Sequence, residues 1–455
     1  MEKLLAYLKQ NESRFIQELC DYVKFPSVSA QPAHKQDMEH AAKWLAERAR
    51  AAGLESRLVP TAGNPVMVAR TPRRAGRPHY VVYGHYDVQP PDPLDLWKTP
   101  PFEPTIRNNK IYARGVSDNK GQHLAHLNAV EAYIKTGTEL PVDITFMVEG
   151  EEEVGSNNLA PFLKTHRDEL RCEAFVISDT GMPSLDQPAL TYALRGLTAL
   201  EIKITGPNRD LHSGIFGGTV ENPAMALAQL LAQLRDRKNR INIPGFYDGV
   251  KPLTKLERAE MSRLPYKESE FKKFLGVPQL TGEDGFTPNE RRAARPTLEI
   301  NGLTSGYQDA GSKTIVPSWA SAKITCRLVP NQKPDKIFKL VAKHLKSICP
   351  PTVTIEVTQG HGGDPYIVDP TSRIAKAGLR ALEKAFDAEP LLLREGGSIP
   401  ILNDIKKIIG VDTLLLGLAL PDDNAHSPNE KFEIESFRRG MQMAALVWQE
   451  LVRES

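Results

Sequence analysis

Four short apolar segments of this chain each end on side chains that bind metal ions, and this limits the folds open to it. Val81-Val82-Tyr83 runs into Gly84-His85-Tyr86-Asp87, and Ile144-Thr145-Phe146-Met147-Val148 into Glu149-Gly150-Glu151-Glu152-Glu153. Phe175-Val176-Ile177 leads to Ser178-Asp179, and Leu414-Leu415-Leu416 leads through a short loop to Asp422-Asp423-Asn424-Ala425-His426. Open α/β sheets bind ligands beyond the carboxyl ends of their strands, so such a sheet gathers these side chains at one edge. Asp118, between the strand-like Ile111–Arg114 and a helical stretch, is a fifth candidate. Two histidines with at least three carboxylates and no cysteine suit a pair of divalent ions such as zinc or manganese, not a thiolate-bound structural zinc. The pattern points to a two-metal hydrolase.

At 455 residues the chain exceeds one compact core and fits two domains. Its 58 Lys and Arg nearly balance its 56 Asp and Glu, so bulk charge gives no reason to expect a nucleic-acid or acidic-membrane partner. The first residues carry apolar side chains at helical spacing among charges, with no uninterrupted apolar run after them, which argues against a secretory signal. No later run is long enough to span a bilayer. Cys20, Cys172, Cys326 and Cys349 form no C-x-x-C pair and read as small core residues, so the expected location is a reducing cytoplasm.

Up to about Tyr192, helices and strands alternate. Helical spacing covers Leu4–Val23, Ala41–Ala52 and Gly121–Thr136, and strands are expected near 52–59, 66–70, 80–83, 143–148 and 174–178. Short apolar strands between helices predict a mostly parallel sheet covered by helices. Thr198–Thr205 then alternates with period two, and the order strand, helix, strand, strand, helix, strand up to Thr358 is that of an α+β ferredoxin-like sandwich. The polar stretch between Arg237 and Arg295 is an excursion with helical content near Leu253–Leu264. After Pro365 the first pattern returns, closing on a helix over about 435–453. The expected architecture is α/β, with a discontinuous catalytic domain over 1–193 and 365–455 and an inserted lid and dimerisation domain over 194–364.

Three consecutive acids after a buried strand repel one another unless a cation compensates. In extended chain, neighbours point opposite ways, so Glu153 is assigned as a ligand and Glu152 as general base and acid. Of His85 and Asp87, one can bind metal while the other accepts a hydrogen bond from the imidazole's second nitrogen. Asp118 alone reads as a helix N-cap, and only its company raises it above that. Asp179 and His426 are weak signals singly. His123 and His126, three apart on a helix, lack a carboxylate at zincin spacing and read as packing or surface residues.

Gly-His-x-Asp-x-x-Pro at 84–90, Arg-Gly-x-x-Asp-x-Lys-Gly at 114–121 and Glu-Gly-x-Glu-Glu-x-Gly-Ser at 149–156 resemble the M20 metallopeptidases, as do Ser178-Asp179 and Ala425-His426-Ser427. The likeness covers nearly the whole chain and is nearest to the cytosolic nonspecific dipeptidase (carnosinase-like) branch. It implies that Asp118 bridges two metals, with His85 and Asp179 completing one and Glu153 and His426 the other. Asp87 then orients His85, and Glu152 is the catalytic carboxylate beside a metal-bridging water that acts as nucleophile. Branch-level motifs add His212, reaching a partner subunit's site in a homodimer formed through the inserted domain. They also imply substrate contacts from Thr314, Arg327, His361, Glu395, Gly396 and Ser398, with Glu395 receiving a free α-amine. The expected cofactors are two divalent ions per subunit, zinc first, with manganese or cobalt as alternatives, and the expected substrate is a small peptide. An N-acyl amino acid hydrolase or a carboxypeptidase on the same fold is the rival reading. A non-catalytic binding protein is a remote one.

Overall fold

A computed structural model describes residues 1–397, 399 and 401–453, and the chain in it divides into two compact units. The first comprises 1–192, 368–393 and the chain from 400 onward; the second comprises 193–367 and 394–399. The segment Arg394–Ile399, expected with the first part of the chain, thus clusters with the inserted part.

The sheet of the first unit runs in the spatial order Glu55–Val59, Val66–Arg70, Asp143–Glu149, His79–His85, Ala174–Ile177, Thr413–Leu416, Ala189–Leu194. Its four middle strands are mutually parallel, while the strands on either side pair antiparallel. The sheet is therefore parallel where the candidate ligands leave it and mixed at its margins. His79–His85 and Asp143–Glu149 are buried at every position, as parallel strands covered on both faces must be, which is why they read as continuous apolar runs.

Helix Gly121–Thr136 is buried along most of its length and helix Ile434–Val452 packs beside it. Trp448 is fully buried there, its ring 6.0 Å from that of Tyr80 and 6.4 Å from that of His126. Trp448→Ala is expected to destabilise this unit by about 3–5 kcal/mol, the usual result of emptying a large aromatic site. A lowered denaturant midpoint of the purified variant would show it.

The helical spacing over Leu4–Val23 is not one helix. It breaks at Asn11, with φ −100° and ψ 7°, into Glu2–Gln10 and Glu12–Val23, and there the Asn11 side chain donates to the Tyr7 carbonyl at 2.9 Å beside its own amide at 3.0 Å. Ala52, expected to open a strand, ends the helix Lys35–Ala52, and the strand starts at Glu55 after a left-handed Gly53.

The second unit carries four antiparallel strands in the spatial order Thr297–Ser305, Trp319–Leu328, Gly196–Thr205, Thr354–Gly363. With helices Pro223–Ala232 and Pro334–Ile348 this is the ferredoxin-like arrangement. Gly196–Thr205 alternates inward and outward, sending Leu200, Ile202 and Ile204 into a core with Leu227 and Val341. The excursion holds the helices Lys255–Arg263, Glu268–Leu275 and Pro288–Ala294, the first and last opened by capping boxes at Thr254 and Thr287. Among the described residues no helix is long and apolar enough to cross a membrane. All four cysteines are free; Cys20 and Cys326 are buried, whereas Cys172 and Cys349 are half-buried.

Candidate active site

The parallel strands bring His85, the turn after Glu149, Asp179 and the loop after Leu416 to one edge of the first unit. Two groups of candidate ligands result, sharing one residue: His85, Asp118 and Asp179 form one, and Asp118, Glu153 and His426 the other. Within each group the ligand atoms lie within 4.8 Å of one another. Nε2 of His85 is 3.2 Å from Asp118 Oδ1 and 3.7 Å from Asp179 Oδ2. Nε2 of His426 is 2.9 Å from Asp118 Oδ2 and 3.3 Å from Glu153 Oε2.

The donors fit divalent cations. Nε2 of His85 is buried without a well-aligned hydrogen bond although two carboxylates face it, and it is free to give its lone pair to an ion. Its other nitrogen, Nδ1, faces the Asp87 carbonyl at 3.0 Å and the Asp87 carboxylate at 3.4 Å, which fixes the tautomer that exposes Nε2. All donors are nitrogen or oxygen, the set favoured by zinc and manganese. Burial pushes Asp118 up, but His426 and His85 outweigh it and hold the carboxyl below its usual range. His426 sits in the left-handed region, at φ 63°, a conformation uncommon outside glycine and typical of functional loops.

Glu151-Glu152-Glu153 is not extended. Glu152–Val154 forms a single 3-10 turn, so Glu152 and Glu153 are set by helical geometry, not by strand alternation. The Asp87 carboxylate accepts the amides of Glu152 at 3.2 Å and Glu153 at 3.0 Å, plus the Ser29 hydroxyl at 2.7 Å. Asp87 therefore holds both the imidazole of His85 and the turn that carries Glu152. Glu151 points elsewhere, accepting from Asn158 at 2.8 Å. Burial, helped by Asp179, Glu153 and Asp118 and opposed by His85, pushes the Glu152 carboxyl well above its usual range. A carboxyl raised by its surroundings is the kind of group that general acid–base catalysis uses.

Asp118 caps no helix. It lies in the turn Val116–Lys120 with non-helical φ and ψ, two residues before the N-cap Lys120. Its neighbour Asn119, unmarked by the sequence reading, donates to Asp179 Oδ1 at 2.9 Å and faces His123 Nδ1 at 3.1 Å. His123 and His126 are buried, which corrects the surface alternative; His126 Nε2 lies 2.8 Å from the Ser178 hydroxyl, beside Asp179. Glu430, which no local pattern marks, accepts the Asp118 amide at 3.1 Å.

The remaining candidates belong to the second unit. Arg327 pairs opposite Leu197 from one side, and the strand end after His361 pairs opposite it from the other. Arg195, a further guanidinium at this end, donates through its amide to the Glu395 carbonyl and through Nε to the Gly396 carbonyl, each at 3.3 Å. Burial, with Arg327 nearby, pushes Arg195 down to about 10. Arg394 pairs with Glu257. His212 and Thr314 instead lie together beyond the other end of that strand, where His212 pairs opposite Ile315 and Ser213 donates to the Thr314 carbonyl at 3.0 Å. The strand between the two sets, from Leu197 to Thr205, is about 26 Å long at 3.3 Å per residue. Ser398 lies outside the described residues.

The family model described as peptidase family M20/M25/M40 matches residues 81–450. A Cys-Gly metallodipeptidase of Candida albicans is 31% identical over 462 residues, covering 97% of this chain and 95% of the relative. The crystal structure of human carnosine dipeptidase 1 matches with a TM-score of 0.86 at 29% identity, covering 99% of this chain and 98% of that one. An M20 family metallo-carboxypeptidase from Sulfolobus solfataricus, Sso-CP2, matches with a TM-score of 0.86 at 32% identity, over 96% and 99% of the two chains. With the candidate ligands gathered at the strand ends and the family model matched over residues 81–450, the chain belongs to peptidase family M20/M25/M40.

Proposed function

We propose that this protein is a dinuclear metal-dependent dipeptidase, and the observation that carries the reading is the pair of ligand groups sharing Asp118 beside a turn-held Glu152. Membership of the family implies divalent ions. His85 and Asp179 would complete one site and Glu153 and His426 the other, with zinc the first expectation and manganese or cobalt the alternatives. When bound, such ions polarise a carbonyl and acidify water. Glu152 would accept the proton of the attacking water and pass it to the leaving nitrogen, a task that needs the raised carboxyl described above. Asp87 would keep Glu152 and His85 in register.

Substrate contacts belong to the same reading. Arg327 suits a terminal carboxylate, because a guanidinium can bind it with two parallel hydrogen bonds. Glu395 suits a free α-amine, together with Gly396 and Ser398, and His361 suits the peptide backbone; Thr314, which lies with His212, would reach that backbone only as His212 does. His212, about 26 Å along the strand direction from Arg327, cannot serve the same dipeptide as the Arg327 of its own chain. A homodimer in which the partner offers His212 to the developing oxyanion meets that constraint. Free cysteines suit a cytoplasmic setting.

The Candida albicans relative and the human structure are named for dipeptides, whereas Sso-CP2 is named a carboxypeptidase, which favours a second reading with longer chains as substrates. A panel decides between them: a free dipeptide, a free tripeptide and an N-acetyl amino acid, each assayed with zinc or manganese. Cleavage of the dipeptide well above the other two is expected. Equal tripeptide turnover would support the carboxypeptidase reading. Turnover of the N-acetyl substrate alone would remove Glu395 from its assigned task, since that substrate offers it no cation.

A further inference from the structure

The turn that carries Asp118 is a small anion-binding nest, and its anion is a side chain from the far end of the chain. Gly115 is left-handed, at φ 79°, and a Cβ there would meet Val88 Cγ1 at 2.2 Å, so only glycine fits. This curl turns the amides of Gly115, Ser117 and Asp118 inward, as backbone nests do. Glu430 Oε2 accepts from the Gly115 amide at 2.9 Å and from Arg114 Nη1 at 2.8 Å, while Oε1 accepts from the Ser117 amide at 3.0 Å and the Asp118 amide at 3.1 Å. Both oxygens are filled, and Arg114 and Glu430 are fully buried.

Arg114 extends the hold. Its Nη2 donates to the carbonyl of Pro90, in the loop after His85 and Asp87, and to that of Ser427, next to His426, each at 3.3 Å. A second tie runs parallel, from the Ser117 hydroxyl to Asp423 Oδ2 at 2.7 Å, with Lys431 on the other oxygen of Asp423 at 2.8 Å. One guanidinium–carboxylate pair thus touches the three loops that carry His85, Asp118 and His426. We propose that Glu430 and Arg114 are positioning residues that fix Asp118, and through it both metal sites at once. The inference rests on the metal-centre reading above. Burying an ion pair is often neutral or unfavourable for stability, so the geometry it imposes is the better account of its presence.

Glu430→Gln tests this with little change of volume. The amide presents donors to backbone donors, so part of the nest loses its acceptor. Chelator-treated full-length protein is titrated with zinc alone, and the unfolding temperature of the metal-free form is measured beside it. The expected result is two ions on the wild type, and on the variant a loss of affinity at both sites of about tenfold to a hundredfold, the usual effect of removing a ligand's support. The metal-free unfolding temperature should fall as well, because the buried Arg114 loses its carboxylate, and zinc affinity is the readout that a merely structural role would not move. His426→Ala, by contrast, should weaken one ion only. Wild-type affinity in Glu430→Gln, weakening confined to one ion, or a lowered unfolding temperature with zinc affinity intact would each overturn the proposal. If Glu430→Gln does not fold, Arg114→Lys is read the same way, since it keeps the charge but cannot reach both carbonyls. A wild type that binds no zinc would overturn the metal-centre reading itself.

Discussion

Glu152→Gln is expected to lower kcat on a dipeptide by about a hundredfold to ten-thousandfold, the range that a positioned general acid–base group contributes. Zinc content and KM should change little, because the Glu152 side chain belongs to neither ligand group. What fixes Glu152 is its backbone: its amide and that of Glu153 donate to Asp87, and those bonds survive the substitution. The carboxyl sits among Asp179, Glu153 and Asp118, so an amide removes one negative charge from a crowded cluster and should not unfold the protein. Steady-state kinetics with metal analysis on the same sample separates the outcomes. A fall in kcat with two ions still bound supports the proton-transfer role; loss of metal would make Glu152 a ligand instead.

Asp118→Asn is expected to reduce activity at least as far, by another route. Asp118 is the one residue common to both ligand groups, with Oδ1 towards His85 and Oδ2 towards His426. An amide offers one oxygen in place of two and no charge, so neither ion keeps its full set. The stoichiometry should fall below two ions per chain even at zinc concentrations that saturate the wild type. His426→Ala should leave His85, Asp118 and Asp179 able to hold one. A variant of Asp118 that still binds two ions with wild-type affinity would contradict the shared-ligand geometry.

The strand ends were legible in the sequence because strands buried on both faces must be apolar throughout, so a polar residue closing such a run stands out. His85, Asp179 and the acids after Val148 were visible for that reason. The ferredoxin-like order of the second unit was legible from the alternation at Thr198–Thr205 and the order of its elements. The shape of the acidic turn was not. Three acids in a row look alike, and the segment curls where the distant Asp87 accepts its amides and where Glu151 turns to Asn158. Asn11 interrupts a continuous apolar stripe through its backbone, at φ −100° and ψ 7°, which periodicity does not register.

Glu430 and Asn119 escaped for a related reason. Glu430 acts on an amide 312 positions earlier, and Asn119 on a carboxylate 60 positions later, so neither leaves a spacing to read. The His123 and His126 pair shows the converse. Their helical spacing suggested packing or surface, and burial settled on packing because the helix is enclosed from Gly121 to Tyr133.

The central claim is metal-dependent cleavage of a free dipeptide. Its most direct test is to strip the full-length protein with EDTA and measure dipeptide hydrolysis as zinc is added back. The account predicts no turnover in the stripped protein and recovery that reaches its plateau at two ions per chain. Turnover unaffected by EDTA, or two ions bound with no hydrolysis of any free dipeptide, would contradict it.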